Sequence, residues 1–288
     1  MDARRRDIVK HFYLVVNPEK DPAYTLSKKV RAYLENRGGV CSVKTGKDPK
    51  GNYYYTDPAW VPEEAECIIV LGGDGTMIQA ARDLSDRALP ILGVKLGTMG
   101  YLAGTTQEGI YEALERLLRD DYDIEERMML EGTSFAGGVE SSEIALNDIV
   151  ISRRGDCNMI HFQVSVNGEV LHRYAADGII VATPTGSTAY NLSAGGPIAA
   201  PASSLILLTP IAAHSLNNRS IVLTKDDEIR VQLCGGHAEE AGVIFDGKIQ
   251  SVLTVGDTVT VRRAQKVTRL IKLKQTSFLE TLRENMTD

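Results

Sequence analysis

The stretch Cys67-Ile68-Ile69-Val70-Leu71-Gly72-Gly73-Asp74-Gly75-Thr76-Met77 constrains the chain more than any other. Its apolar, β-branched opening suits a strand buried on both faces of a parallel sheet. From Thr76 onward, Met77, Ile78, Ala80, Ala81 and Leu84 recur at helical spacing. The glycines therefore stand at a strand-to-helix crossing, where backbone amides and a helix N-terminus form a phosphate site. Glycine suits that place because a missing Cβ permits positive φ and lets a polyphosphate approach the main chain. Asp74 does not belong to a bare phosphate cradle, since its charge repels phosphate. It makes sense as a group that handles a hydroxyl next to the phosphate. The structural alternative is a tight turn in which Asp74 only caps the helix. No Lys-Ser or Lys-Thr follows the glycines, and the pattern is not Gly-x-Gly-x-x-Gly, so both common nucleotide fingerprints are absent.

A chain of 288 residues has room for two domains. Its 43% hydrophobic and 24% charged residues match a soluble globular protein, and the net charge of -6 argues against nucleic acid as a partner. Arg4-Arg5-Arg6 reads as a solvated end. No apolar run approaches the roughly 18 residues of a membrane helix, and the N-terminus lacks a signal-peptide core. Cys41, Cys67, Cys157 and Cys234 form no C-x-x-C pair, which predicts reduced, packed thiols in a cytoplasmic protein. The histidines lack metal-ligand spacing, so no structural zinc site is expected.

Taken in order, residues 12–16 read as a buried strand ending at Asn17-Pro18, 23–36 as a helix stopped by Gly38-Gly39, and 40–43 as a second strand. The polar segment 46–60, with Tyr53-Tyr54-Tyr55, is a surface loop or a lid. Residues 89–94 form another short strand, which runs into a second glycine-bearing loop over 96–102. Helical spacing returns over 107–119. This β-α alternation predicts a Rossmann-like α/β domain with a parallel sheet and ligands beyond the strand C-termini. Near Asp123 the pattern changes to closely spaced strands: 144–152, 162–166, 170 onward, 179–182, 205–208, 221–223, 229–233, 243–245 and 259–261, with Asn167-Gly168 as a hairpin turn. They predict an all-β, sandwich-like second domain. Residues 276–284 read as a closing helix.

Two stretches of the β domain exceed what folding needs. Asn147-Asp148 inside the apolar run 145–150 is either a turn or bulge, or an amide and a carboxylate presented to ribose hydroxyls or a base edge. Asp177-Gly178 leads through a strand into Thr183-Pro184-Thr185-Gly186-Ser187-Thr188-Ala189-Tyr190 and on to Ser193 and Gly195-Gly196. Small residues and a tyrosine there let a flat ring lie against the backbone, with hydroxyls and amides at its edges.

Gly72-Gly73-Asp74-Gly75-Thr76, the 96–102 loop, Asn147-Asp148 and the 183–190 run occur in the order and spacing of NAD kinases, and the chain resembles that family from its first strand to the Arg219 region. The glycine loop alone is shared with lipid kinases and phosphofructokinases. Paired with the 183–190 run it is specific. The resemblance implies the two-domain NAD kinase fold, with the α/β domain at 1–125, residues 267–288 returning to it, a β-rich NAD-binding domain at 126–266, and the site between the domains. It implies phosphorylation of the 2′-hydroxyl of the adenosine ribose of NAD, with ATP as donor and Mg²⁺ or another divalent cation, in a homodimer or homotetramer without nucleic acid or membrane partners. Carried onto this chain, Asp74 is the catalytic base, Gly72 and Gly73 face phosphates, and Gly75 lies beside the substrate. Asn147 and Asp148 hold ribose or dinucleotide, while Asp177, Thr188, Ala189, Tyr190 and Ser193 line the NAD pocket. Lys248, in a segment similar to a family Asp-Gly-Gln, reaches substrate from a neighbouring subunit.

The chain departs from the family at Asp148, where many members have Glu, at Ala175, where many have Arg or Lys, and at Ala213, where Pro is usual. Arg173 is placed to compensate for Ala175. Two alternatives remain open: a kinase with the same glycine loop acting on another hydroxyl, such as that of a lipid or sugar, and a catalytically weak NADP(H)-binding sensor. The first calls for a membrane-docking face or an arginine cluster, and neither is present. The second calls for loss of Asp74, which is retained.

Overall fold

All six residues of the strand Cys67–Gly72 are buried, as are five of six in His11–Val16. A computed structural model describes residues 9–47, 53–97, 100–155, 158–214, 219–235, 240–273 and 277–286. It divides into two compact units, Met1–Glu126 with Thr268–Asp288, and Arg127–Val267.

In the first unit, His11–Val16 pairs in parallel with Val40–Val43 on one side and Cys67–Gly72 on the other, and Cys67–Gly72 pairs in parallel with Ile91–Lys95. Leu270 pairs in parallel with Ile91 at the far edge. Alternate residues Phe12, Leu14, Val16, Ile69 and Leu71 pack against Val30 and Leu34 of the helix Thr25–Glu35 and against Leu114 and Leu117 of Ile110–Leu118. The opposite face carries the helix Asp74–Asp83: a Cβ on Gly93 would lie 2.7 Å from the Met77 sulfur. Helices on both faces of a parallel sheet are the doubly wound arrangement that the alternation predicts. Within 46–60, Gly46–Lys47 and Tyr53–Tyr54 form a short hairpin; residues 48–52 lie outside the described residues.

The second unit is a sandwich. Six antiparallel strands run in the order Ile221–Thr224, Leu205–Ile211, Gly178–Ala182, Asp148–Arg153, Ala241–Phe245, Lys248–Leu253. A second layer contains Glu169–Ala176, Ile160–Val166 and Ile229–Leu233, followed by Thr258 to Val261. Ile149, Ile151, Ile179, Val181 and Phe245 from one layer pack with Phe162, Val164, Val231 and Val259 from the other. The outer face of the six-stranded sheet is covered by its own loop, with Ala194 and Ala199 on Val150, Ile180 and Leu207. Asn167 and Gly168 both take positive φ, 52° and 84°, as the hairpin turn requires.

Three readings of the sequence need correction. The expected strand over 144–152 is broken into Val139–Ala145 and Asp148–Arg153, because the amides of Leu146 and Asn147 bond to Asp246 and leave the ladder. Two further strands, Asp123–Ala136 and Lys248–Leu253, carry too many polar residues to show alternation in sequence. The segment 259–261 belongs to the much longer Thr258–Lys272. The closing helix is Phe278–Met286, and Thr276 lies outside the described residues, as do Arg4, Arg5, Arg6, Thr98, Met99, Cys157, Ser215 and Leu216. Cys41, Cys67 and Cys234 are free thiols, the first two buried. Burial pushes the Cys41 thiol up to about 12. Among the described residues, no helix is long and apolar enough to cross a membrane.

Candidate active site

The glycine loop uses its glycines differently from the expectation. Positive φ is absent at Gly72, Gly73 and Gly75, and Gly73 is extended at φ -103° and ψ -176°. Gly72 is required for space: a Cβ there would lie 2.5 Å from Thr76 Oγ1. Buried Thr76 in turn accepts a 3.2 Å hydrogen bond from Asn17 Nδ2, which ties the loop to the end of the first strand. Among the described residues, nothing would lie within 4 Å of a Cβ on Gly73 or Gly75, which leaves the main chain open to a ligand.

Asp74 is the first residue of its helix and does not cap it, for Gly73 is the N-cap and, among the described residues, the helix has no side-chain cap. The helix terminus keeps its anion-binding capacity. Asp74 Oδ2 lies 3.0 Å from Lys95 Nζ, with the two side chains 34% and 13% exposed. Oδ1 is buried and has no hydrogen-bond partner among the described residues. Gly100 closes the other side, since a Cβ on it would fall on the carboxylate. Lys95 escaped the sequence reading. Its only signal was a lone cation at the C-terminal end of an apolar strand.

In the second unit, Asn147 stands in the gap between two strands, where two other segments hold it. The Asp246 carboxylate accepts from the amides of Leu146 and Asn147, both at 2.8 Å, and of Asp148 at 3.2 Å. Thr183 donates its hydroxyl to the Leu146 carbonyl at 2.6 Å and its amide to the Asn147 carbonyl at 2.8 Å. Gly186 lies so close that a Cβ would sit 2.1 Å from the Asn147 carbonyl oxygen. Asp148 is 5% exposed. Burial, and then the Asp246 charge, push its pKa up to about 7.

Most hydroxyls of the 183–190 run serve the loop itself. Thr183 accepts from the Gly186 amide, Thr185 accepts from buried Arg127, and Ser187 donates to the Pro184 carbonyl. Asn191 donates to the Ser187 and Pro197 carbonyls and accepts from Thr209. This corrects the expectation that the hydroxyls as a set read a ligand. The residues left facing outward are Thr188 and Ala189, half-buried, and Tyr190 and Ser193, exposed.

Asp177 pairs with Arg153 at 2.9 Å, a partner the sequence reading missed. Arg173 bonds to Gln163 instead of compensating for Ala175. The two departures meet: the amide of His214, next to Ala213, donates to the Ala175 carbonyl. Asp177 and Thr183 stand at opposite ends of the strand Gly178–Ala182, roughly 20 Å apart at the usual strand rise, so Asp177 is not part of the Asn147 cluster. Lys248 is exposed and follows the Asp246-Gly247 turn directly.

Among the described residues, no cluster of three His, Cys, Asp or Glu forms a metal cage. A nucleotide's Mg²⁺ needs none, because it keeps several waters and takes one or two carboxylates beside phosphate oxygens. The Asp74 carboxylate, a third exposed at the helix N-terminus, fits that demand.

Comparison with known proteins bears on both units. The family model for the ATP-NAD kinase N-terminal domain matches residues 12–122, and that for the ATP-NAD kinase C-terminal domain matches 146–273. An NAD kinase of Lachnospira eligens is 43% identical, covering 96% of this chain and 100% of its own. One from Lachnoclostridium phytofermentans is 41% identical over 97% and 100%. Among solved structures, yeast NADH kinase complexed with NADH shares the fold with a TM-score of 0.83 at 23% identity, over 98% of this chain and 89% of that chain. An NAD kinase from Archaeoglobus fulgidus in complex with ATP gives 0.75 at 24% identity, over 95% and 98%.

Proposed function

This chain belongs to the NAD kinase family and has its two-domain fold, and from that premise we propose that it transfers the γ-phosphoryl of ATP to the 2′-hydroxyl of the adenosine ribose of NAD, giving NADP. The observation that carries the reading is the Asp74 carboxylate, a third exposed at a helix N-terminus and flanked by the open backbone of Gly73 and Gly75. Asp74 takes the proton as the ribose oxygen bonds to the γ-phosphorus. The bond from that phosphorus to the β,γ-bridging oxygen breaks, ADP leaves, and Asp74 returns its proton to solvent. Such a transfer relies on alignment and charge neutralisation, and a positioned base adds roughly 10²–10⁴-fold. Mg²⁺, when bound with the nucleotide, neutralises phosphate charge.

The first unit supplies the base and the open backbone at Gly73 and Gly75 for phosphates and substrate, with Gly72 holding the loop's shape. In the second, Arg127–Val267, Asn147 and Asp148 hold ribose hydroxyls. Near neutral pH a carboxyl titrating at about 7 donates in one form and accepts in the other. Thr188, Ala189, Tyr190 and Ser193 are the outward members of their loop and suit contact with the dinucleotide. Asp177, steadied by Arg153, and Lys248 serve a more distant part of it, Lys248 across a homodimer or homotetramer contact. A cytoplasmic setting accords with the free thiols.

The test is NADP formation from NAD, ATP and Mg²⁺, read with an NADP-specific dehydrogenase, with NADH in parallel. Turnover with NAD supports the reading, and the ratio to NADH sets the redox preference. Binding of NADP without turnover would replace it with the sensor.

A further inference from the structure

The glycine loop has no cation of its own. Between Gly72 and Met77 stand only Gly73, Asp74, Gly75 and Thr76, so an approaching polyphosphate meets a carboxylate where other phosphate loops offer a lysine. The neighbouring strand supplies the missing charge. Lys95 ends Ile91–Lys95 and is the register partner of Gly72, on the same carboxyl edge as the loop. Its ammonium rests 3.0 Å from Asp74 Oδ2.

That contact conflicts with the role of Asp74. Oδ1 is buried, so the third of the side chain that remains exposed presents Oδ2 to a ligand. Lys95 occupies Oδ2. A ribose hydroxyl arriving in this state meets an oxygen whose charge is already neutralised by an ammonium and which is a weaker base for it, while the phosphate next to it lacks a cation. One displacement resolves both problems. A lysine is a compact charge on a flexible four-carbon stem, so its ammonium travels several ångströms without backbone movement.

We propose that Lys95 is a catalytic lysine that changes partner with the donor. Without nucleotide it holds Asp74 through Oδ2. When ATP binds, its ammonium passes to the terminal phosphate and leaves Oδ2 free for the ribose proton. The inference rests on the reading of Asp74 as base. Lys95 stays an ammonium and Asp74 a carboxylate during the exchange, and the proton moves only later, in the phosphoryl-transfer step. The device makes the base available only when the donor is in place.

Lys95→Gln keeps a hydrogen-bond donor toward Asp74 but removes the charge, and Lys95→Arg keeps the charge. The experiment measures NADP formation against ATP and NAD, and thermal stabilisation by the non-hydrolysable analogue AMPPNP with Mg²⁺. Lys95→Gln is expected to raise the KM for ATP at least about tenfold, to leave that for NAD within about twofold, and to lose most of the AMPPNP stabilisation. Lys95→Arg should restore both to within about threefold of wild type. An unchanged KM for ATP and unchanged AMPPNP stabilisation in a Lys95→Gln protein that melts lower would make Lys95 a structural partner and overturn the proposal. Lys95→Met, which matches the stem without its charge, is read in the same way if the glutamine variant does not fold. Failure of the wild type to make any NADP would instead remove the kinase reading. The AMPPNP comparison would still decide whether Lys95 meets phosphate.

Discussion

The Asp246 carboxylate accepts a 2.8 Å hydrogen bond from the backbone amide of Asn147, a residue 99 positions earlier in the chain. Three amides in a row converge on this one carboxylate, so it shapes the strand break that presents Asn147. Asp246 itself sits at φ 46°, and its amide returns a bond to the Asp148 carbonyl. Asp246→Asn leaves one acceptor oxygen for these donors and removes the charge. The loss of hydrogen bonds to a charged group predicts destabilisation of about 1.5–3 kcal/mol. With Asn147 less firmly held, the KM for NAD should rise while that for ATP stays close to wild type. Denaturant unfolding and the two Michaelis constants check this. Equal effects on both substrates would remove Asp246 from the NAD side.

Asp148 makes stability depend on pH in an unusual direction. Its carboxyl ionises at about 7 in the folded protein against an ordinary 3.8, so the folded state binds the proton more tightly than the unfolded chain. Its contribution to stability is therefore full below pH 4, falls as pH rises from about 4 to about 7, and is level above. Asp227 and Asp257, whose carboxyls are held below the usual range by hydrogen bonds, chiefly from Asn167 and the Thr254 amide, act in the opposite sense at lower pH. The difference between wild type and Asp148→Asn isolates the effect. The asparagine variant should gain relative stability between pH 5 and 7, as seen in urea midpoints. A constant difference across that window would mean that Asp148 is ionised throughout.

Gly186→Ala tests the close approach of two main chains. The added methyl would sit 2.1 Å from a carbonyl oxygen that cannot rotate away, so the backbone must shift. Overpacking of this kind costs about 1–3 kcal/mol, and the displaced segment carries Asn147. Lower thermal stability together with a raised KM for NAD is expected. Gly73→Ala, at an open and extended position, should leave stability within about 0.5 kcal/mol of wild type.

Asp74→Asn keeps the size of the side chain and removes the base. NAD binding should persist, measured by thermal stabilisation, while turnover falls at least about 10²-fold. Near-normal turnover would take Asp74 out of the role of base.

The sequence by itself determined the order of elements, the two kinds of domain and the segments that carry the site. Those are local matters. Buried strands are read from apolar runs, helices from their spacing, and the Asn167-Gly168 turn from residues that tolerate positive φ. The site residues, too, were legible as unusual types in apolar surroundings: Asp74 after a buried strand, Asn147-Asp148 inside another. Only the tertiary structure decided their partners. Lys95 reaches Asp74 because parallel register places it beside Gly72, Arg153 reaches Asp177 across adjacent strands, and Asp246 meets Asn147 where two paired strands of one sheet end side by side. The same holds for the hydroxyls of the 183–190 run, which composition marked as ligand contacts and of which the fold spends Thr183 and Ser187 on buried carbonyls and Thr185 on Arg127. Charge pairing and hydrogen bonding depend on distance in space. A chain that brings residue 246 to residue 147 leaves no periodicity in sequence by which that meeting can be read.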